Sequence, residues 1–198
     1  MTAAITIIRD EHRALAAVLH GLLHLNDQVR KAGQKPDFVL LKAMLDYIVA
    51  FPDRLHHPKE DEYVYRVLRE REPSAAATLD ELQDEHRRGP DVTRSMVDAL
   101  VAFERDAGAF EAFDQAVSAY ADFQWAHMRK EEEVILPIAQ KALLPSDWVE
   151  IDAAFRSNSD PLVGVNTPMG PTPMRPIAGN AALVTYSSKR FTIWPRRN

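Results

Sequence analysis

Apolar residues recur every three or four positions along four long stretches of the chain, and polar residues interrupt those stripes at a few repeated places. The first stretch, about 3–31, carries Ile5, Ile8, Leu15, Leu19, Leu22 and Leu23, with His12 on the same stripe. That spacing predicts an amphipathic helix. Ala32 to Asp37 reads as a turn, with Asp37 as N-cap of a second helix that carries Leu41, Leu45 and Ile48. Pro52 and Pro58 each remove a backbone donor, so the second helix should be bent or two-part, roughly 38–51 and 53–71. Pro73-Ser74 breaks the chain, and Ser74 is placed to cap a third helix over about 75–106, with a kink at Gly89-Pro90. Gly108 marks the next turn. The fourth helix, about 110–143, has Phe113, Val117, Tyr120, Phe123, His127, Glu131, Val134 and Ile138 at steps of three or four. Pro145-Ser146-Asp147 ends it and starts a short fifth helix around Trp148, Ile151 and Phe155.

Four such helices with short connections predict an all-α fold, an antiparallel up-down four-helix bundle with kinked second and third helices. Helical periodicity stops near Asn158. Six of the thirteen prolines and three of the seven glycines fall in 161–198. The expected organisation is therefore a bundle over 1–157 and an irregular, Pro-rich, basic extension over 158–198, in which Ala182–Tyr186 could pair as a strand.

Composition narrows the chemistry. The hydrophobic fraction of 46% supports a core, and no stretch approaches the roughly 18–20 apolar residues of a membrane span. Charged residues from Arg9 onward come too early for a signal-peptide core, so the expected location is the cytoplasm. The chain has no cysteine, so disulfides, thiolate metal sites and Cys nucleophiles are excluded. The net charge is −5, yet 161–198 holds five Lys/Arg and no Asp or Glu, which leaves the rest near −10. An acidic body disfavours nucleic acid as a partner. The basic end reads as a loosely ordered extension that could touch an anionic surface. No glycine-rich phosphate loop and no Ser-His-Asp signature is present.

The polar interruptions are duplicated. Asp-Glu-His-Arg occurs at 10–13 and again at 84–87, and each copy is followed some forty residues later by His-x-x-x-Glu. The first follow-on is His56…Glu60 in HHPKEDE; the second is His127…Glu131 in HMRKEEE. Residues four apart on a helix differ by only about 40° in direction, so each pair presents an imidazole beside a carboxylate. Two such pairs, with one further His from each remaining helix, give His12, His56, Glu60, His86, His127 and Glu131. Imidazole and carboxylate together suit a pair of divalent ions, and the carboxylates can bridge them. A bridging oxo or hydroxo group would complete the set and leave room for a small ligand.

Taken singly, a histidine on an apolar stripe is more often a hydrogen-bonded core residue, and a run such as Lys130–Glu133 is more often a solvated face. The duplication favours the metal reading. His20 and His24 lie about 80° and about 120° around the helix from His12 and should not share its centre. His57 is either a supporting partner or an alternative ligand: the second repeat has Ala126 opposite it, which favours His56. Asp61 and Glu132 stand one residue beyond the Glu of each pair and are further alternatives. Tyr47, Tyr63 and Tyr120 read as core.

Over about 5–143, the two Asp-Glu-His-Arg segments, HHPKEDE and HMRKEEEVILP resemble the hemerythrin-like family, the HHE cation-binding proteins. That resemblance implies an up-down four-helix bundle with two non-haem iron ions. It also implies binding or sensing of dioxygen, or handling of nitric oxide or iron. The family's His-x-x-x-Glu positions carry onto His56/Glu60 and His127/Glu131, and its single-His positions onto His12 and His86. The invertebrate oxygen carriers have a second third-helix His where this chain has Pro90. They have an Asp where Glu132 stands. The missing His leaves one iron less completely ligated and makes redox chemistry or sensing more plausible than reversible carriage. An oxidase or peroxidase of the ferritin-like kind would use Glu-x-x-His, a spacing absent from the acidic runs. A metal-responsive interaction module, with the extension docking a protein partner, is the remaining alternative.

Overall fold

A computed structural model describes residues 2–163; the expected strand at 182–186 and the five basic residues of the extension lie outside the described residues. Among the described residues there are helices and no strands. Helix α1 runs Ala3–Ala32 and stops at Gly33, whose φ of 61° places it in the left-handed region that glycine adopts without strain. Asp37 caps α2, Phe38–Ala50, by accepting the Leu40 backbone N–H at 3.0 Å. Helix α5 runs Ala76–Arg105 and continues through Pro90. Ser74 does not cap it. Its hydroxyl donates to Glu72 instead, and a single 3₁₀ turn, Pro73–Ala75, leads into the helix. Helix α6 is Phe110–Lys130, α7 is Leu136–Ala142 and α8 is Pro145–Arg156.

The stretch after α2 changes its hydrogen bonding at the prolines. Pro52–His56 is π-helical, α3 is the single turn His57–Lys59, Glu60–Tyr65 is again π-helical, and α4 is Arg66–Arg71. The Phe51 carbonyl accepts from both Leu55 (3.0 Å) and His56 (3.2 Å), the mark of a widened turn. A proline cannot donate to the carbonyl four residues back, and a π turn re-pairs the neighbouring groups. The fourth long helix widens too, at Glu131–Ile135, between α6 and α7.

That widening moves the apolar stripe. The spacing expects Val134 and Ile138 inside. In the structure Val134 is 39% exposed, while Ile135 and Ala139 are fully buried. One extra residue in the turn rotates everything after it. Upstream, Phe113, Val117 and Tyr120 are buried as their spacing predicts.

The core has two apolar parts. One gathers Leu15 to Leu22, Leu41 to Phe51, Met96 to Phe103 and Phe113 to Tyr120. The other gathers Ile5, Ile8, Val64 to Leu68, Leu79, Leu82, Ile135 to Ala139, and Trp148, Ile151 and Phe155 of α8. Each buried Leu, Ile or Phe contributes about 1.5–3 kcal/mol. Helix α8 lies along α1, where the Asp152 carboxylate accepts the free N–H groups of Ala3 and Ala4. His12, His56, His86 and His127 each fall, along the chain, between residues of the two apolar parts. The polar layer is therefore sealed from both ends.

Candidate metal centre

The structure brings all six sequence-derived residues together. His12, His56, Glu60, His86, His127 and Glu131 are each buried. The imidazoles meet in two pairs: His12 Nε2 lies 3.2 Å from His56 Nε2, and His86 Nε2 lies 3.1 Å from His127 Nε2. Two carboxylates span the pairs. Glu60 places Oε1 3.3 Å from His56 Nε2 and Oε2 3.6 Å from His86 Nε2. Glu131 places Oε1 3.4 Å from His127 Nε2 and Oε2 3.2 Å from His12 Nε2. Each glutamate thus has one oxygen toward each histidine pair.

Behind the imidazoles stands a second row of acids. His12 Nδ1 meets Glu132 at 2.9 Å, His56 Nδ1 meets Glu11 at 2.7 Å, His86 Nδ1 meets Asp61 at 3.0 Å, and His127 Nδ1 meets Glu85 at 2.9 Å. An Nδ1–H donated to a carboxylate fixes the tautomer and leaves the Nε2 lone pair pointing inward, as in histidine metal sites generally. Glu11 and Glu85 are the Glu of the two Asp-Glu-His-Arg segments. The repetition of that Glu beside each histidine, at 11 and 85, is the signal in the sequence for its role. Asp61 and Glu132, held as alternative ligands, hydrogen-bond ring nitrogens of His86 and His12.

Two more residues belong to the site. His57 is buried, stacked on His86 with ring centroids 4.4 Å apart, and edge-on to His127 at 5.3 Å. Tyr65 donates its phenol hydrogen to Glu131 Oε1 and stacks on His86 at 5.6 Å. No periodic pattern singled out Tyr65. His20 and His24 are exposed and take no part, as their angular positions predict; the His20 ring donates to the Ala16 carbonyl. Pro90 is exposed as well, and Gly89 beside it is buried. Tyr47 and Tyr120 are buried, and Tyr63 is partly exposed. The Tyr47 hydroxyl donates to Asp160.

The site's electrostatics favour cations. Burial opposes charge on His12, yet Glu131 and Glu132 carry its pKa up to about 9. Burial also opposes charge on His56, but Glu60 and Glu11 raise it well above the ordinary value. Burial alone would raise Glu131; the imidazoles of His127, His12 and His86 outweigh it and hold the carboxyl well below the usual range. Glu60 moves the other way, pushed up by burial and by the Glu131 charge. A field that favours positive charge on buried imidazoles favours a metal cation in their place.

The donor set fits metal. Two inward lone pairs about 3 Å apart repel unless a proton or a cation stands with them. Glu60 Oε2 is buried without a hydrogen-bond donor, and a polar atom held dry in that way needs a counterpart. Nitrogen and oxygen donors alone suit iron, manganese or zinc. Among the described residues, His12-His56-Glu60, Glu60-His86-His127-Glu131 and His57-His86-His127 each bring their ligand atoms within 4.8 Å of one another.

The hemerythrin HHE cation-binding domain model matches residues 3–139. The chain belongs to the hemerythrin family. Comparisons with curated proteins and with solved structures returned no match. In hemerythrin terms, the matched span covers all six His and Glu residues of the centre and ends inside α7, so α8 lies beyond it. The chain is thus a helical hemerythrin-family protein with His/Glu metal-binding clusters. No helix among the described residues is long and apolar enough to cross a membrane.

Proposed function

We propose that the chain is an antiparallel, up-down four-helix bundle holding two iron ions, and that it binds or senses dioxygen or a related diatomic such as nitric oxide. The observation that carries the reading is the straddling of both histidine pairs by Glu60 and by Glu131. His12 and His56 with Glu60 Oε1 and Glu131 Oε2 would hold one ion. His86 and His127 with Glu60 Oε2 and Glu131 Oε1 would hold the other. Iron held by these residues would supply electrons to a diatomic ligand. The protein's own groups set the conditions. The acids at Nδ1 keep each imidazole aimed and basic. The two apolar parts of the core keep bulk water out, which strengthens every charge interaction inside. The Tyr65 phenol holds a proton against Glu131, beside the space between the pairs.

Metal analysis of freshly purified protein, with an ultraviolet–visible spectrum before and after anaerobic reduction, tests this. About two irons per chain and a near-ultraviolet oxo-to-iron band that bleaches on reduction are expected. An iron-reconstituted protein that holds none defeats the reading.

Tyr65 favours one second reading, a peroxidase- or oxidase-type enzyme, because a buried phenol at a bridging carboxylate is a ready proton donor. Substrate-dependent peroxide consumption that falls in Tyr65→Phe, with iron content intact, would support turnover; no substrate-dependent consumption by the wild type would leave ligand binding.

A further inference from the structure

We propose that Asp53, Thr93, Tyr120 and Gln124 build a second, metal-free site: a buried pocket that binds water beside the metal layer, on the His86 and His127 side alone. The site is independent of which metal the centre holds.

The duplicated sequence shows where the room comes from. With the two Asp-Glu-His-Arg segments in register, Leu15 of the first long helix corresponds to Gly89 of the third, and Leu19 corresponds to Thr93. Leu15 and Leu19 are buried and fill their flank with apolar side chain. Gly89 and Thr93 are buried too, but lack most of that volume. Protein interiors are close-packed, so the missing side chains leave room that something must fill. Beyond its own stretch of helix, a Cβ added at Gly89 would meet one atom within 4 Å, Asp53 Oδ1 at 3.5 Å.

The walls of that room are polar. Asp53 of the second long helix and Gln124 of the fourth also correspond, each three residues before a histidine of the metal layer. Asp53 Oδ1, Thr93 Oγ1 and Gln124 Oε1 are all buried, and none meets a hydrogen-bond partner among the described residues. Thr93 is 1% exposed and Gln124 not at all. The groups share one neighbourhood. Burial pushes the Asp53 carboxyl up to about 6, and Thr93 works against that rise. Burial and the Asp53 charge raise the Tyr120 phenol, while Thr93 and Gln124 act to lower it. Gln124 Nε2 donates to the Tyr120 hydroxyl at 3.0 Å, which leaves the amide oxygen free. The shortage is therefore one of donors: a carboxylate oxygen and an amide oxygen can only accept, and they stand with a single hydroxyl. Water donates twice and accepts as well, and buried water typically joins about three polar groups.

The pocket touches the metal layer through His57. His57 Nδ1 stands 3.8 Å from Asp53 Oδ1, too far for a direct hydrogen bond and near enough for one water to serve both. The same ring stacks on His86, with centroids 4.4 Å apart. Water at Asp53 thus orients His57, and His57 braces the face of His86. Leu15 and Leu19 occupy the matching places beyond His12. The centre has one wet flank and one dry flank.

A high-resolution crystal structure of the full-length protein tests this. A water is expected within about 2.5–3.2 Å of at least two of the three oxygens. A pocket without one overturns the inference. Thr93→Val gives a second reading, because it keeps the shape of the side chain and removes only the hydroxyl. In a hydrated pocket the loss of that partner lowers the melting temperature by about 2–4 °C. In a dry pocket the hydroxyl is an uncompensated cost, so its removal leaves the melting temperature unchanged or raises it, and either result overturns the inference. Iron content bears on neither measurement. A pocket without water leaves the two-iron reading standing, and a protein that binds no iron leaves the pocket standing.

Discussion

The centre's chemistry turns on single atoms. Glu60 and Glu131 each offer one oxygen to each histidine pair, so on the proposed two-iron reading neutralising either should cost more than one ion's share of binding. Glu131→Gln keeps the shape and removes the charge. We expect it to lower iron content below one per chain, measured by elemental analysis of folded protein. The outer acids act more gently: Glu85→Gln leaves His127 in place but removes its aim and the Lys130 ion pair. Iron affinity should fall about 10- to 100-fold. Protons compete with metal at the same nitrogens. His12, raised to about 9, stays protonated through neutral pH in the metal-free protein. Metal affinity should therefore climb as pH rises from about 6.5 toward about 9, and binding should release protons, which calorimetry in buffers of different ionisation heat reads directly. The same linkage has the opposite sign for the empty bundle. The stability that His12 lends it is complete below its unfolded pKa and is lost as pH rises through about 9.

At the scale of the helices, the i,i+4 pairs were legible because two side chains one turn apart need only a helix to converge. The register beyond them was not. His57 and Ile135 are inside because the chain widens by a residue near each acidic run, and no count of apolar spacing reveals a π turn. Proline supplied half the clue at Pro52 and Pro58. At Glu131–Ile135 the proline lies just beyond the turn: Pro137, at the start of α7, cannot donate to the Glu133 carbonyl, and both ends of the turn, Glu131 and Ile135, are buried. Substitution separates the two registers. Val134→Asp, at a 39% exposed position, should change stability by less than about 0.5 kcal/mol. Ile135→Asp, at a buried one, should cost more than about 3 kcal/mol. Chemical denaturation of both variants checks the pair, and the reverse ranking would restore the simple α-helical register. Ser74 failed as a cap for a related local reason: the 3₁₀ turn already re-pairs the backbone there.

At the scale of the whole molecule, the site and the fold share their residues. Helix α8 reaches the centre through Asn158, which donates to Glu11 at 2.9 Å, while Glu11 holds His56. Lys59 donates to the Ala154 carbonyl of α8 and, just past its end, to Ser157 and Asn158. With two ions bound as proposed, their removal would leave buried glutamates facing one another, so a chelator-treated protein should melt on the order of ten degrees lower than the loaded one. Equal melting temperatures would show that the ions lend the native state nothing. The outer acids also form a circuit. Glu11 of the first long helix supports His56 of the second, Asp61 of the second supports His86 of the third, Glu85 of the third supports His127 of the fourth, and Glu132 of the fourth supports His12 of the first. Each rod steadies its successor, and the last returns to the beginning. Cut at the midpoint, either hairpin would keep one imidazole propped and lose the prop of the other. Set against a second copy of itself, it would recover both.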